Sequence, residues 1–294
     1  MENVKTITFN VSEQLKNVAT KNDESLDVIG HYYFQERWLY RLSISAYKER
    51  FLLKGDHLLA TLTNGLVKPS AIISLSAKQI TQDISKLQHV FEEICAIKVP
   101  EDGVDFLIDE LKITALNEEV SIEIPVILEQ IITYIQIKVS YRDNHILTPK
   151  EVTIPTLLEM ESPVLLAYST EVIIAEKFEA MISLVEEDNR MKDFYDVYML
   201  LNTQSFEGRV LQEAVLEVFD QRRTRIEKDQ PVLSKQFYLD AQRNEQWLAF
   251  IGQESFMFEE VIKRLQKVLI PIYKVIVTED EFFGNWDCEL KEWN

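Results

Sequence analysis

Few residues of this sequence have the types and spacing that a known catalytic motif requires. The histidines share no spacing: His31, His57, His89 and His145. No Ser-His-Asp or Cys-His arrangement can be traced, although His57 lies close to the Lys54-Gly55 turn. Cys95 and Cys288 are far apart without a CxxC partner, which argues against a zinc site or a disulfide framework. With 7 glycines in 294 residues, the sequence also lacks a glycine-rich phosphate loop.

Two sets of charged residues are better candidates for function. Arg222-Arg223-x-Arg225 could contact RNA phosphates, although a solvated helix end is the commoner role of such a cluster. A second set has the spacing of ion pairs at a helix start: Arg190, Lys192, Asp193 and Asp196. Glu176 and Lys177, just upstream, also fit an ordinary helix surface. These residues are compatible both with a binding site and with structural ion pairs, and by themselves they do not distinguish the two.

The charge balance restricts the possible partners. The chain has 49 acidic and 31 basic residues, a formal net charge of −18, with 46% hydrophobic residues. This excess of acid argues against broad electrostatic binding to nucleic acid, which needs clustered lysine and arginine. The start, MENVKTITFN, lacks the apolar core of a signal peptide, and no window approaches the ~18 apolar residues of a membrane span. We therefore expect a cytoplasmic protein with a sizeable core and no membrane segment.

Hydrophobic periodicity predicts helices in the first 50 residues, with one apolar stripe formed by Ile29, Tyr33, Phe34, Trp38 and Leu42. Short strands are predicted at Phe51–Leu53 and Ala71–Leu75, and a helix with Leu87, Phe91 and Ile94 on its inner side follows. From Val104 to Tyr141 the β-branched and aromatic runs predict strands with one buried face.

The remainder has helical periodicity. Helices are predicted at about 170–186, with Thr170 as N-cap, and at 190–202, 207–221, 234–251 and 255–273. The acidic, aromatic tail from Thr278 is either a docking segment or a loosely ordered end. The expected fold is α+β: a small mixed sheet with flanking helices in residues 1–160, then a helical domain in residues 161–294.

Three stretches carry a more specific signal: FQERWLYRLSISAYKERFLLKGDHLL (34–59), IPTLLEMESPVLLAYSTEVIIAEKFEAMISL (154–184) and RMKDFYDVYMLL (190–201). In their order and spacing they resemble the AbiEii/AbiGii toxin family, a branch of the nucleotidyltransferase superfamily. The resemblance implies a nucleotidyltransferase core followed by a helical half. It also implies a toxin of a toxin–antitoxin or phage-abortive-infection system, with a separately encoded antitoxin as partner. Several members of the family transfer nucleotides from a nucleoside triphosphate, some of them onto tRNA.

The resemblance also implies a metal site whose acids this chain lacks. The family places Asp-x-Asp on a strand after a Lys/Arg-Pro-Ser/Thr turn; here the turn is Lys68-Pro69-Ser70 and the two acid positions hold Ile72 and Ser74. A third acid position, on a later strand, holds Lys138. Isoleucine cannot ligate Mg²⁺, a neutral serine replaces a carboxylate weakly, and an ammonium group opposes a nearby cation. No metal is expected at these degenerate positions.

Other positions keep the pattern of the family. Lys177 corresponds to the lysine thought to contact the nucleotide phosphates, and Arg190-x-Lys192-Asp193 matches a signature near the reaction centre. Gly55 remains at the phosphate turn, although the carboxylate of Asp56 beside it would repel a triphosphate. The resemblance thus implies Lys177 and Asp193 as residual catalytic residues. The nucleotide-binding candidates are Gly55, Ser70, Lys177, Arg190 and Lys192.

Two main functions remain open. The first is a catalytically degenerate toxin-family protein that acts by binding a nucleotide or a partner, a cognate antitoxin or another defence protein. The alternative is an active toxin that transfers nucleotides to tRNA or protein, with Asp56, Glu176 and Asp193 as relocated acidic ligands. Only this alternative needs a nucleoside triphosphate and Mg²⁺ as cofactors. A purely structural interaction module would bind no nucleotide. The net charge of −18 favours a basic protein partner over tRNA.

Overall fold

A computed structural model describes residues 2–80, 82–129, 131–141, 149–183, 191–252 and 256–294, with the backbone alone for residues 2–10. The helices are α1 (Glu2–Asn22), α2 (Leu26–Ile44), α3 (Gly55–Leu62), α4 (Ile84–Ala96), α5 (Thr170–Ser183), α6 (Met191–Thr203), α7 (Gly208–Arg222), α8 (Lys235–Leu239), α9 (Ala241–Ile251) and α10 (Phe258–Thr278). The strands are β1 (Phe51–Lys54), β2 (Ile72–Ala77), β3 (Asp105–Phe106), β4 (Lys112–Leu116), β5 (Glu119–Leu128), β6 (Ile131–Ser140), β7 (Lys150–Thr153), β8 (Val164–Ala167), β9 (Phe206–Glu207), β10 (Asn285–Asp287) and β11 (Glu292–Trp293).

The described residues divide into two compact units. The first comprises residues 2–61, 68–141 and 149–168, and the second comprises residues 62–67 and the described part of 169–294. The first unit holds the large sheet and the second is mainly helical, so the predicted α+β fold class is confirmed.

A mixed sheet organises the first unit. Its strands, among the described residues, follow the order β3-β5-β6-β2-β1-β8-β7, and β4 pairs with β5 on the same side as β3. The pairs β2–β6 and β1–β8 are parallel, whereas β1–β2 and β5–β6 are antiparallel. Along each strand, successive side chains point to opposite faces of the sheet, so alternate residues form two sets, one on each face.

The alternation separates a buried face from a polar face. Ile73, Leu75, Ile137 and Val139 are each 0% exposed, and they lie on the face that forms the core. The residues between them on β2 and β6, such as Ser74 and Lys138, belong to the opposite face. Side chains on this second face are not needed to fill the core, so the sequence can vary there without loss of the fold.

Helix α2 packs its apolar stripe in the core, as predicted. Ile29, Tyr33, Phe34, Trp38 and Leu42 are all at most 3% exposed. The Trp38 ring stacks on Phe91 of α4 at a centroid distance of 5.4 Å. The same helix also buries polar side chains that the stripe did not predict: Gln35, Glu36, Arg37 and Arg41.

Arg41 is the most extensively bonded of these buried groups. Its guanidinium forms a two-pronged ion pair with Asp102, at 2.6 Å (Nη1–Oδ2) and 3.2 Å (Nη2–Oδ1), and both side chains are at most 1% exposed. It also donates to the carbonyl oxygens of Ile97 and Val104 at 3.0 and 2.9 Å. Together these bonds hold the chain that enters β3 against α2.

The second unit consists of α5 to α10 and a small sheet. Helix α5 begins at Thr170 as predicted, but its N-cap is Ser169 and not Thr170, since the Ser169 hydroxyl accepts from the Val172 nitrogen at 3.4 Å. One predicted helix limit was wrong. The single helix predicted at 234–251 is interrupted at Asp240, whose carboxylate accepts from the Arg243 nitrogen at 2.9 Å and so begins α9.

The acidic tail is a docked segment of its own unit. Strand β10 pairs with β9 and β11. Trp286 is 1% exposed and its indole Nε1 donates to the Leu201 carbonyl oxygen at 2.9 Å. A Cβ at Gly208 would lie 2.4 Å from the Phe282 ring, so a glycine is required where the tail crosses the start of α7. The aromatic residues of the tail attach it, together with an ion pair of 3.0 Å between Glu281 and Arg209 of α7.

We predict that Arg41→Met lowers the free energy of unfolding by about 3–5 kcal/mol, because it leaves the Asp102 carboxylate buried without its cation. Urea denaturation followed by circular dichroism measures the loss. The matched control is Lys98→Met, since Lys98 and Asp105 form a 2.8 Å pair that is exposed to solvent; this change should cost less than about 1 kcal/mol. Equal losses for the two variants would contradict the assignment of Arg41.

Candidate functional site

The register of the first sheet brings three strands together at Ser74. Lys54 of β1 is the antiparallel partner of Ser74 of β2, and Lys138 of β6 is its parallel partner. Residues that are direct partners on neighbouring strands share a face of the sheet, with Cβ atoms about 5 Å apart. Lys138 is exposed, and Ser74 and Lys54 are half-buried. We call this set the Lys54–Ser74–Lys138 row.

The other degenerate position, Ile72, lies beside Gln136 in the same register. Ser70, a nucleotide-binding candidate, donates its hydroxyl to the Ile72 carbonyl oxygen at 2.8 Å and accepts from the Ile72 nitrogen at 3.3 Å. In this structure the Ser70 hydroxyl therefore stabilises the turn that leads into β2.

Gly55 is a second nucleotide-binding candidate, and its place is set by close packing. Its φ of +69° is left-handed, and a Cβ there would lie 2.9 Å from the Ser74 Cβ and 3.0 Å from the Ser74 Oγ. A larger residue would be strained at this φ and would also crowd Ser74. The backbone at the start of α3 therefore lies directly against Ser74, with Asp56 in the first turn of that helix.

The residues present do not fit a divalent metal ion. Magnesium binds oxygen ligands, chiefly carboxylates, whereas the Lys54–Ser74–Lys138 row offers one neutral hydroxyl between two ammonium groups. Among the described residues, no group of three or more His, Cys, Asp or Glu side chains could hold a metal ion. Of the relocated ligands suggested from the sequence, Asp56 belongs to the first unit and Glu176 and Asp193 to the second.

His57 is a buried residue of α3. Its side chain is held by Gln35, with the His57 Nε2 3.1 Å from the Gln35 Oε1. Burial lowers the pKa of His57 to about 4, although the neighbouring Asp56 carboxylate acts in the opposite direction. The imidazole is therefore neutral at neutral pH, and its contacts are those of a packed core residue.

In the second unit, Lys177 lies between two carboxylates. Its Nζ is 2.9 Å from the Asp193 Oδ1 and 2.8 Å from the Asp196 Oδ2. Lys192 also reaches the Asp196 Oδ2, at 2.8 Å. These four residues form one neutral set of two cations and two anions, the Lys177 cluster. Arg190, the remaining member of the predicted signature, lies outside the described residues.

Burial and charge oppose each other at Lys177. Burial lowers the pKa of Lys177, but the carboxylates of Asp196 and Asp193 raise it, and the net shift is upward. Lys177 therefore remains charged. Because the side chain is only 17% exposed and already holds two carboxylates, a phosphate group would have to compete with them for the ammonium.

The basic residues at the end of α7 are partly neutralised as well. Arg222 pairs with Glu179 at 2.7 Å and with Glu176 at 3.1 Å. Arg223 ends the helix in the left-handed conformation, with φ of +56°. These contacts connect α7 to α5, and they place Glu176 in an ion pair with Arg222.

Sequence reasoning missed several residues at these sites. Lys54 was not among the candidates, although its place two residues before Asp56 and its pairing with Ser74 follow once the β1–β2 register is known. Glu179 was missed because an acid on a predicted helix has no distinguishing signal. Gln35 is a polar residue of α2 outside the apolar stripe, and its bond to His57 is a tertiary contact.

A separate cavity of about 800 Å³ lies in the first unit, between α1, α2 and the β5–β6 hairpin. Leu15, Phe34 and Ile132 are among its lining residues. None of the site residues predicted from the sequence lines it, so it has no part in the site described above.

The sequence pattern of the nucleotidyl transferase AbiEii toxin family, a type IV toxin–antitoxin system, matches residues 37–267. Because this match spans most of the chain, the protein belongs to the AbiEii toxin family, and the resemblance seen in the sequence is confirmed. No curated protein matches the chain. No helix among the described residues is both long enough and apolar enough to span a membrane.

Two solved structures from Helicobacter pylori resemble this fold. One is described as a candidate nucleotidyltransferase; it is 14% identical, with 88% of this chain and 100% of that chain covered and a TM-score of 0.48. The other is the protein JHP933, also 14% identical, with 87% of this chain and 95% of that chain covered and a TM-score of 0.45.

We predict that His57 makes the protein less stable in acid. Above pH 6.5 the imidazole is neutral in both states; below it the unfolded chain gains a proton that the folded chain, with a pKa of about 4, does not. From pH 7 to pH 4.5 this should lower the free energy of unfolding by about 2–3 kcal/mol. The loss should be absent from His57→Gln and retained in His89→Gln, whose imidazole is exposed. Urea titrations at both pH values test this, and an identical pH dependence of all three proteins would contradict it.

We also predict that Lys177→Met destabilises the protein by about 3–5 kcal/mol, because Asp196 is 0% exposed and would lose a buried cation. Lys192→Met is the matched control: the side chain bonds the same carboxylate but is 45% exposed, so its loss should cost less than about 1 kcal/mol. Thermal and urea denaturation measure both. A Lys177 variant as stable as the Lys192 variant would show that the cluster is not a structural ion-pair set.

Proposed function

We propose that this member of the AbiEii family acts by binding, and that it does not carry out metal-dependent nucleotidyl transfer. The observation that supports this is the Lys54–Ser74–Lys138 row. The family resemblance places two of the metal-binding acids at positions 74 and 138, and the sheet register sets these positions side by side. In this chain they hold a hydroxyl and an ammonium group, with a second ammonium on the other side of the serine.

Electrostatics favours the loss of metal binding at this site over a metal site that binds Mg²⁺ weakly. Two unit charges 4 Å apart interact by about 4 kcal/mol near a protein surface, and a divalent ion doubles that energy. In a metal site the acids supply this energy as attraction, whereas two lysines supply it as repulsion. With lysines in place of acids, the interaction with Mg²⁺ therefore changes from attraction to repulsion; it is not merely weakened.

The Lys177 cluster is consistent with a binding role. If Lys177 and Asp193 took part in nucleotidyl transfer, their side chains would have to exchange partners during the reaction. Here Lys177 is held by two carboxylates, and Asp193 is one of them. A residual role for Lys177 and Lys192 in nucleotide binding would require an incoming phosphate to displace an aspartate.

The proposed partner is a protein. The type IV toxin–antitoxin family implies an antitoxin, and we propose a cognate antitoxin or another protein of the same defence system, acting in the cytoplasm. The formal net charge of −18 supports a basic protein surface as the partner and disfavours tRNA. We also propose a role in abortive infection by phage, which the family resemblance implies.

We predict that the purified protein transfers no labelled nucleotide to tRNA or protein in Mg²⁺ or Mn²⁺, with any of the four nucleoside triphosphates. In this assay Lys177→Ala should show the same lack of transfer as the unaltered protein, and an active nucleotidyltransferase should serve as the positive control. Expression without a partner should leave growth unaffected.

Metal-dependent transfer that is abolished by Lys177→Ala would overturn the proposal. The active enzyme with relocated ligands would then take its place, and a structure with bound nucleotide and Mg²⁺ should show carboxylates of Asp56, Glu176 or Asp193 about 2–2.6 Å from the ion.

A further inference from the structure

We infer that the cavity between α1, α2 and the β5–β6 hairpin is the docking site of an extended, basic and apolar segment of a partner protein. The segment pairs its backbone with the open edge at the start of β6. This inference gives the proposed binding a surface and a partner chemistry, and it rests on the proposed function for the choice of a protein as occupant. It depends on the open strand edge, on the wall of the cavity and on the acids around it.

Strand β6 is paired on both sides for only part of its length. All of its residues pair with β5, whereas its pairing with β2 begins at Gln136. The chain that enters β2 lies against α2 instead, with the Ala71 carbonyl oxygen 3.1 Å from the His31 Nε2. In the part of the chain that the structure describes, no backbone bond reaches the side of residues 131–135 that faces away from β5. Alternate residues of this stretch therefore offer N–H and C=O groups to a further strand.

The composition of this open edge favours a covering strand. Its sequence, IITYI, contains no charge and no proline, which are the usual devices that keep an exposed strand edge from pairing with another chain. Ile132 and Tyr134, which alternate with the buried Ile135, are 67% and 49% exposed. Apolar side chains directly opposite them on an added strand would cover both, and such cross-strand pairs stabilise a sheet.

The cavity of about 800 Å³ lies beside the open edge. Its wall includes Leu15 of α1, Phe34 of α2 and Leu128, a core residue of β5 that is 1% exposed. No member of the Lys54–Ser74–Lys138 row lines it, so the two places are separate. Successive side chains of an added strand point to opposite sides. One set would therefore enter the cavity and the other would lie over Ile132, which requires a segment with apolar residues on both sides.

Two residues of the cavity wall support a bound ligand. Gly30 lines the cavity from within α2, where a glycine is less favourable than alanine. A Cβ there would have the Phe34 Cε2 as its nearest side-chain atom, at an ordinary 4.0 Å, so packing does not require the glycine. The Ser12 hydroxyl of α1 also lines the cavity; the residue is 9% exposed, and the hydroxyl has no hydrogen-bond partner among the described residues. A backbone group of a docked segment would supply that partner.

The charges around the cavity favour a basic segment. Asp27, Glu129 and Lys16 are exposed lining residues, so carboxylates outnumber ammonium groups there. Neither Asp27 nor Glu129 has an ion-pair partner within the described parts of the chain. A lysine or arginine next to the apolar residues of the segment would match these carboxylates. The formal net charge of −18 attracts the same kind of segment over a longer range and repels an anionic amphiphile.

The test begins with a phage-displayed library of short random peptides. Peptides are selected on the full chain, and those that also bind the Gly30→Leu variant are removed. We expect the enriched sequences to carry apolar residues on both sides of an extended strand, together with a lysine or arginine. One enriched peptide is then synthesised with a fluorophore and titrated with each protein by fluorescence anisotropy.

Ile132→Lys, which has no part in the selection, should weaken binding of this peptide at least about tenfold. The matched control is Leu116→Lys, an apolar residue of β4 in the same sheet that is 49% exposed; it should change affinity less than about twofold. Gly30→Leu should bind no peptide, although urea denaturation should show it to be at least as stable as the unaltered protein, since leucine favours the helix. Asp27→Asn combined with Glu129→Gln should weaken binding several-fold.

Backbone pairing has a separate test. Only every second N–H group of an added strand points towards β6. Methylation of one alternate set of peptide nitrogens should therefore abolish binding, whereas methylation of the other set should leave most of it. Equal effects of the two sets would overturn the inference, because a peptide that docks by its side chains alone does not distinguish them in this way.

The remaining outcomes are equally decisive. A lack of enriched peptides, or an affinity that Ile132→Lys leaves unchanged, would overturn the inference. Self-association that Ile132→Lys abolishes would assign the edge to a second copy, and binding of decanoate without any peptide would assign the cavity to a small amphiphile; either result also overturns it. If Gly30→Leu does not fold, Ile132→Lys decides, because this side chain is exposed. Without peptide binding and without nucleotide transfer, the docking site is lost and the proposed loss of catalysis stands, whereas transfer overturns the proposed function whatever the peptide does.

Discussion

The buried charge of Arg41 is the constraint on which the first unit depends. A guanidinium that is 1% exposed is tolerated only if its charge and its donors are matched, and here Asp102 and nearby carbonyl oxygens do so. One turn earlier on α2, Glu36 accepts from the Leu157 nitrogen at 2.6 Å and Arg37 donates to the Glu161 carbonyl oxygen at 3.1 Å. The helix thereby fixes two irregular segments, the one that leads into β3 and the one between β7 and β8. This explains why a helix in the core carries so many charged side chains.

In the first unit, the side chains that stabilise the fold and those that are available for chemistry lie on different faces of the sheet. The core face of the sheet is filled by residues such as Ile73 and Ile137, which leave no room for change. The other face carries Ser74 and Lys138, whose side chains contribute little to the core. Acids can be exchanged for a hydroxyl and an ammonium there while the strands keep their register. A protein of the AbiEii family can therefore keep its fold while the side chains on this face of the sheet change.

In the second unit, too, cations that lie between helices are matched by carboxylates. Lys177 is matched by Asp193 and Asp196, and Arg222 by Glu179. These ion pairs join α5 to α6 on one side and to α7 on the other, between helices that also share the aromatic contact of Phe178 with Phe219. Side chains that the family resemblance associates with a nucleotide are here part of the packing between helices.

The sequence by itself determined most of the helices, the strands β1 to β6, the α+β class and the family, because periodicity and the order of three long stretches are local properties of the chain; it did not predict the strands β7 to β11. It also led to the prediction, from the family resemblance and from side-chain type alone, that Ile72, Ser74 and Lys138 occupy positions of metal-binding acids. It did not find Lys54, the carboxylate partners of Lys177, or the break in the helix at Asp240. Those depended on which strands pair and which helices pack. Ser74 stands between two lysines only because β1 and β6 flank β2, and 64 residues separate Ser74 from Lys138 in the chain. Strand register and helix contacts bring distant charges within a few ångströms of each other, and only the tertiary structure sets them.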